Sequence, residues 1–282
     1  YLTSKPIVGI VTGFVATALL QSSSTVSVLT VSLVNTSLLT LGQSVGVIMG
    51  ANIGTTITSW IITLFGYQVN GLHLALIVMG VGLPMLFSKV SNWKNLSEFI
   101  VGICFMMMGL TFMKGAIPDL SQDAEILSFL RFYKVSLLST SLAVLLGLLL
   151  TIIVQSSSVS IGVVQVLAMQ GVVPIEFAIP MILGANIGTT LTTNIASLIA
   201  SSDAKRVARI HTLINTIGAF WAIFLMSYIL DSLEYLMANV FDASYSIYSS
   251  NPIERGTVMP TAIACFHTGF NLVNVMILAW FI

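Results

Sequence analysis

Two kinds of polar run interrupt a chain that is otherwise strongly apolar, and each occurs twice. Gln21-Ser22-Ser23-Ser24 recurs as Gln155-Ser156-Ser157-Ser158. Gly50-Ala51-Asn52-Ile53-Gly54-Thr55-Thr56 recurs as Gly184-Ala185-Asn186-Ile187-Gly188-Thr189-Thr190. Both pairs stand 134 positions apart, and Gly13/Gly147, Thr17/Thr151, Leu33/Leu167, Ile48/Ile182 and Thr58/Thr192 keep that offset. Gln, Asn, Ser and Thr offer neutral oxygen acceptors together with donors. Sodium is a hard cation that takes oxygen ligands, much as calcium and magnesium do. An oxyanion takes hydroxyls and the N–H groups of helix N-termini, where the dipole is positive. A Gln-Ser-Ser-Ser run at a helix break can present carbonyls to a cation and hydroxyls and amides to an anion. The candidate anion site is therefore Gln21, Ser22, Ser23 and Ser24 with Gln155, Ser156, Ser157 and Ser158. The candidate sodium ligands and their surrounding shell are Gln21, Thr25, Asn52, Thr55 and Thr56 with Gln155, Asn186, Thr189 and Thr190.

No Arg or Lys lies in these motifs or their flanking apolar runs. The nearest carboxylate is Glu176, which follows Val173-Pro174 and reads as a helix start. A divalent anion inside hydrocarbon needs compensation, and co-bound sodium would supply what hydroxyls and helix ends do not. A blander reading exists for one copy alone: Gly-xxx-Gly packs helices, and membrane serines often bond the preceding turn. Two copies, each with Asn, Thr-Thr and Gln beside the small residues, point to a site. His73, His211 and His267 are the only histidines, read as hydrogen-bonding groups between helices rather than proton carriers. Asn215 and Asn271 follow two of them by one helical turn and share their face. Met106-Met107-Met108 reads as packing or lipid-facing.

Around these residues the composition is that of a membrane protein. Apolar residues make up 56% of the 282 and charged residues only 7%, against about 25% charged in soluble domains. The formal net charge is zero, which argues against a nucleic-acid partner. Cys104 and Cys265 lie inside apolar runs and read as small hydrophobes, neither bridged nor metal-bound. Apolar segments run approximately over 7–20, 26–41, 44–65, 72–87, 99–113, 135–154, 159–173, 177–200, 207–230 and 258–282. Several fall short of the ~20 residues of a spanning helix. Such short, Ser- or Gly-interrupted segments predict re-entrant hairpins and broken helices. The chain opens at Tyr1 without a signal-peptide pattern, and a missing upstream helix is left open.

Three regions are expected: a first transmembrane repeat over 1–113, a polar connector over 114–134, and a second transmembrane repeat over 135–282. His211 aligns with His73 if the second half carries a short insertion. Basic residues give the orientation. Lys205, Arg206 and Arg209 mark the loop after the second Gly-Ala-Asn-Ile-Gly-Thr-Thr as cytoplasmic, whereas Lys89 and Lys94 mark the far end of the equivalent first-half helix. The acidic stretch 231–256, with Tyr245 and Tyr248, then faces outside. The expected fold is an all-α polytopic membrane protein built from two inverted-topology repeats.

The paired motifs resemble those of the type II sodium–phosphate cotransporter family. His211-Thr-Leu-Ile-Asn215 and His267-Thr-Gly-Phe-Asn271 resemble its His-x-x-Phe-Asn elements. The resemblance covers about residues 5–282. It implies a symporter of inorganic phosphate with sodium, with no enzyme activity and no organic cofactor. Gln21 to Ser24 and Gln155 to Ser158 would then line the substrate and sodium sites. Asn52, Thr55, Asn186 and Thr189 would stand around them. Leu74 follows His73 where many electrogenic animal members carry Asp, which leaves stoichiometry open. The connector is short and free of Cys, which favours a bacterial form in the inner membrane. A homo-oligomer is left open. Competing readings are a carrier of another small oxyanion, a passive channel or scaffold, and an intramembrane serine hydrolase. The hydrolase lacks a Gly-x-Ser-x-Gly elbow and needs only one nucleophile.

Overall fold

The structure is a computed structural model that describes residues 6–67, 71–116, 136–242 and 244–281, without the side chains of 65–67 and 71. The connector expected over 114–134 lies outside the described residues from 117 onward. Eleven α-helices occur among the described residues, with no strand. In the first half these are α1 (Pro6–Leu20), α2 (Ser23–Asn35), α3 (Leu41–Tyr67), α4 (Gly71–Met85) and α5 (Ser91–Ala116). In the second they are α6 (Leu137–Val154), α7 (Ser157–Met169), α8 (Ile175–Ser197), α9 (Ser202–Phe224), α10 (Met226–Leu236) and α11 (Pro252–Leu278).

Six helices are long and apolar enough to cross a membrane, including α3, α5, α6, α8, α9 and α11. The outer helices expose large apolar side chains that suit lipid rather than water, such as Ile77 and Leu138. The protein is thus an all-α polytopic membrane protein. The two Gly-Ala-Asn-Ile-Gly-Thr-Thr helices are its most enclosed spans: 67% of the α3 window and 78% of the α8 window are buried, against 22% for α6. With 15 and 13 residues, α1 and α2 are about 22 and 20 Å long. Neither reaches across a ~30 Å core alone.

Local chemistry sets the helix ends. Ser22 and Ser156 cap α2 and α7 by accepting from the backbone N–H of Thr25 and Val159. Helices therefore start at Ser23 and Ser157, three and two residues earlier than the apolar runs at 26 and 159 suggest. Asn251 caps α11 with Pro252 at its first position, which carries that helix back to the edge of the polar stretch.

The repeat extends into backbone geometry. Gln21 and Gln155 are both left-handed, at φ 52° and 58°, and Ser37 and Gly171, again 134 positions apart, lie at φ 60° and 73°. In each half the first helix packs on the third through paired glycines. A Cβ on Gly13 would lie 2.0 Å from the Val47 carbonyl oxygen, and one on Gly50 1.9 Å from that of Ile10. One on Gly147 would lie 1.9 Å from the Met181 oxygen, and one on Gly184 1.9 Å from that of Val144. Only glycine permits so close an approach.

α4 and α5 pair with each other around Ala75, Cys104 and Met107. Their contacts with the other helices are few. The rest interlock across the halves. α2 packs on α8 and α9, while α7 packs on α3 and α11.

The glycine contacts give a direct expectation. Gly50→Ala and Gly184→Ala should each cost at least ~2 kcal/mol of stability through overpacking. Gly80→Ala and Gly109→Ala, with nothing within 4 Å of the added carbon, should be neutral or stabilising by up to ~1 kcal/mol. Thermal melting of the four variants in detergent tests this.

Candidate functional site

Each Gln-Ser-Ser-Ser run forms a two-residue break between helices. At the first, α1 ends with the Gln21 N–H donating to the Thr17 carbonyl at 2.8 Å. The Gln21 side chain then ties the break in place. Its Nε2 donates to the Ala18 carbonyl, 2.6 Å, and its Oε1 accepts from the Thr58 hydroxyl of α3, 2.9 Å. Gln155 repeats this with the Ile152 carbonyl and, at 3.2 Å, the Thr192 hydroxyl of α8. These bonds hold both glutamines in the left-handed region, which costs a non-glycine residue about 1–2 kcal/mol.

The serines are divided by role. Ser22 and Ser156 are spent on capping, and Ser22 Oγ also bonds Thr25 Oγ1 at 2.8 Å. Ser23 and Ser157 are buried, and Ser24 and Ser158 are half-buried. The four carry no side-chain hydrogen bond among the described residues. Their backbone N–H groups, in the first turns of α2 and α7, have no intrahelical acceptor. Each break thus offers two hydroxyls and two amides at the positive end of a helix.

The threonines are divided differently. Thr55 and Thr189 donate to the Ala51 and Ala185 carbonyls at 3.0 Å, and Thr56 and Thr190 to the Ile53 and Ile187 carbonyls at 2.8 Å. With the proton committed to its own helix, each hydroxyl keeps acceptor capacity that suits a cation, although Thr190 also accepts from the Thr212 hydroxyl at 3.2 Å. No cluster of three His, Cys, Asp or Glu occurs among the described residues. Glu176 lies in the first turn of α8, as its sequence context indicates, away from both breaks. It lines a cavity of about 280 Å³ with Tyr248 and Arg255. There the Tyr248 phenol is held above its ordinary range by burial and then by the negative charges of Glu176, Asp231 and Glu234.

The two motif asparagines lie in hydrogen-bonded chains that cross between the halves. The Thr193 hydroxyl of α8 bonds His211 Nδ1 at 3.3 Å, and His211 Nε2 bonds Asn52 Oδ1 of α3 at 3.3 Å. Asn52 Nδ2 donates to Asn215 Oδ1 at 2.9 Å, and Asn215 Nδ2 donates to the Asn186 carbonyl at 3.1 Å. That carbonyl is a pure acceptor. It therefore fixes every donor along the chain back to His211, whose proton sits on Nε2 while Nδ1 accepts from Thr193.

The reciprocal chain starts at Ser59, the counterpart of Thr193. Its hydroxyl bonds His267 Nδ1 at 2.9 Å, and His267 Nε2 bonds Asn186 Oδ1 at 3.2 Å. Beside them Asn194 Nδ2 donates to the Thr212 hydroxyl at 2.8 Å and Trp60 Nε1 to the Thr268 hydroxyl at 3.0 Å. Asn194 and Trp60 are also 134 positions apart. The structural counterpart of His211 is thus His267, both with zero exposure. His73, aligned with His211 on sequence, is exposed on α4 and joins neither chain.

Sequence reasoning missed Ser59, Thr193, Trp60 and Asn194, and it held Thr58 and Thr192 only as a repeat pair and Thr212 and Thr268 only as parts of the histidine motifs. Ser59/Thr193 and Trp60/Asn194 keep the offset by donor type rather than by identity. His211-Thr212-x-x-Asn215 and His267-Thr268-x-x-Asn271 repeat at a second offset, 56, which signals that α9 and α11 are equivalents.

Each break sets helix ends, hydroxyls and amides inside a polytopic helical protein. The sequence profile described as Na+/Pi-cotransporter matches residues 1–115 and 127–240. The chain belongs to this family. The Bacillus subtilis protein YqeW is 29% identical over 221 residues, 77% of this chain and 68% of that protein. The Escherichia coli protein named putative inorganic phosphate export protein YjbB is 26% identical over 207 residues, 73% of this chain but 37% of its own length. The human sodium-dependent phosphate transport protein 2B is 49% identical over 63 residues, 22% of this chain and 9% of that protein. No solved structure matches the chain at a significant level.

The buried imidazoles separate from the exposed one by experiment. His211→Leu and His267→Leu each strand buried polar partners and should lower stability by about 1–3 kcal/mol per stranded group. His73→Leu should change it by less than ~0.5 kcal/mol. Denaturation in detergent measures all three.

Proposed function

We propose that the protein is a secondary active transporter that carries inorganic phosphate with sodium across the membrane by alternating access. Phosphate is held between the two Gln-Ser-Ser-Ser breaks. Ser23, Ser24, Ser157 and Ser158 donate their hydroxyls and backbone N–H groups to its oxygens. Gln21, Gln155, Ser22 and Ser156 hold the two breaks in shape. Thr25, Thr55, Thr56, Thr189 and Thr190 supply oxygens for sodium, with Asn52 and Asn186 standing behind them. The observation that carries the reading is the pair of breaks, each with two serine hydroxyls and two amides uncommitted among the described residues, in motifs whose flanking apolar runs hold no Arg or Lys. An anion at such a site has its charge balanced by co-bound cations, so coupling to sodium follows from the charge inventory.

The repeats run in opposite directions through the membrane, about residues 1–113 and 135–282. Reciprocal contacts, α2 with α8 and α7 with α3, fit a two-fold relation between the halves, and the placing of Lys89 and Lys94 against Lys205, Arg206 and Arg209 supports opposite directions. The bacterial inner membrane is the proposed location. The family name and the phosphate named in two relatives support the choice of phosphate over other oxyanions. The relative named for export makes direction a separate question.

Reconstituted vesicles decide these points. Uptake of radiolabelled phosphate should rise at least tenfold under an inward sodium gradient, compete weakly with sulfate, and fall at least tenfold in Ser23→Ala and in Ser157→Ala. Equal uptake with and without sodium would reject the symport. Efflux from preloaded vesicles that ignores sodium would point to an exporter instead.

A further inference from the structure

The two cross-half chains match in their histidine links and differ in the two bonds of one asparagine. In the first, Asn52 Nδ2 donates to Asn215, which in turn donates to the Asn186 carbonyl. In the second, the equivalent donor is Asn186 Nδ2. It is buried and has no hydrogen-bond partner among the described residues, although its residue is only 7% exposed. The side chain that should receive it is Asn271, one helical turn beyond His267 as Asn215 is beyond His211. Asn271 instead turns its amide onto its own helix and donates to the His267 carbonyl at 2.8 Å. Asn271 is 1% exposed, so solvent does not compensate for the missing bond.

A buried donor without a partner is costly, and native structures keep few of them. Two chemically equivalent chains, one closed and one open at the same link, are the pattern expected of one member of a symmetric pair of states. Packed interfaces change by jumping between two discrete arrangements rather than by continuous deformation. When two repeats exchange their conformations, each bond made in one repeat is broken and its counterpart is made in the other.

We propose that Asn215 and Asn271 are positioning residues that close alternately on Asn52 and Asn186, one bond being made in each of the two transport states. In the state described here the Asn52–Asn215 bond is closed and ties α9 to α3. In the opposite state Asn271 leaves its own helix, accepts from Asn186 Nδ2 and ties α11 to α8, while Asn215 releases Asn52. The histidine bonds, equal in both halves, persist through the exchange and act as its pivots. The inference rests on the alternating-access reading above but not on the identity of the transported anion.

The test reads access to the breaks without requiring transport. Single cysteines replace Ser24 or Ser158 in a background of Cys104→Ser and Cys265→Ser. A membrane-impermeant maleimide is then applied from each side of oriented vesicles. Asn215→Ala weakens the closed link and should shift labelling at least threefold toward one side. Asn271→Ala should shift it at least threefold toward the other. Asn52→Ala and Asn186→Ala cut the same links from the opposite partner, each together with one histidine bond, and each must still shift labelling in the direction of its mate, which covers a variant that fails to fold. Shifts in the same direction, or none, overturn the proposal. Opposite labelling shifts together with no phosphate uptake by the protein that keeps all four serines would count against the phosphate reading alone.

Discussion

A helix that stops partway across a bilayer leaves peptide groups facing hydrocarbon, and each must find a partner or a ligand. The rest of the molecule follows from how two such interruptions are managed. At each break the carbonyl end of the first helix is closed by a glutamine in the left-handed conformation. The amide end of the second is half-closed by a capping serine. The remaining amides and hydroxyls, those of Ser23, Ser24, Ser157 and Ser158, are donors without a partner among the described residues, and on the proposed function they take the anion. The glycine contacts of Gly13 and Gly50, and of Gly147 and Gly184, brace the helix before each break against the long helix behind it.

The long helices α3 and α8 are in turn tied to each other's half by imidazoles. His211 belongs to α9 and bonds a hydroxyl of α8 and an amide of α3; His267 belongs to α11 and bonds a hydroxyl of α3 and an amide of α8. Neither half is complete alone. α11, the last helix, takes beside α3 the place that α9 takes beside α8, and α4 and α5 are left as an appended pair. A polar bond buried in such a setting is stronger and less forgiving than in water. That explains why these amides and imidazoles sit at the junctions where the halves meet.

Much of this was legible in the residues. Composition alone makes the chain a membrane protein, and the 134-residue offset makes it a duplication. The offset survives in places identity does not reveal, such as the left-handed Ser37 and Gly171. Helix ends are not legible from hydropathy where a cap outranks it, as at Ser22, whose side chain starts α2 before the apolar run begins. The partner of His211 was not legible, because equivalence was sought in chain order. His73 follows α3 as His211 follows α8, yet packing rather than sequence position decides which helix fills the equivalent groove. The division of labour among polar residues was also out of reach. A sequence shows that Thr55 has a hydroxyl, but only geometry shows that its proton is committed to Ala51 and its lone pairs are not.

On the proposed function an anion is held at these breaks, whose motifs and flanking runs carry no Arg or Lys, and its charge is balanced by sodium. Equilibrium binding of radiolabelled phosphate to the purified protein, in sodium and with sodium replaced by choline at equal ionic strength, tests it most directly. The account predicts that affinity falls at least tenfold without sodium, and that sodium affinity rises by the same factor when phosphate is present, as linkage requires. Equal phosphate affinity in sodium and in choline would contradict it.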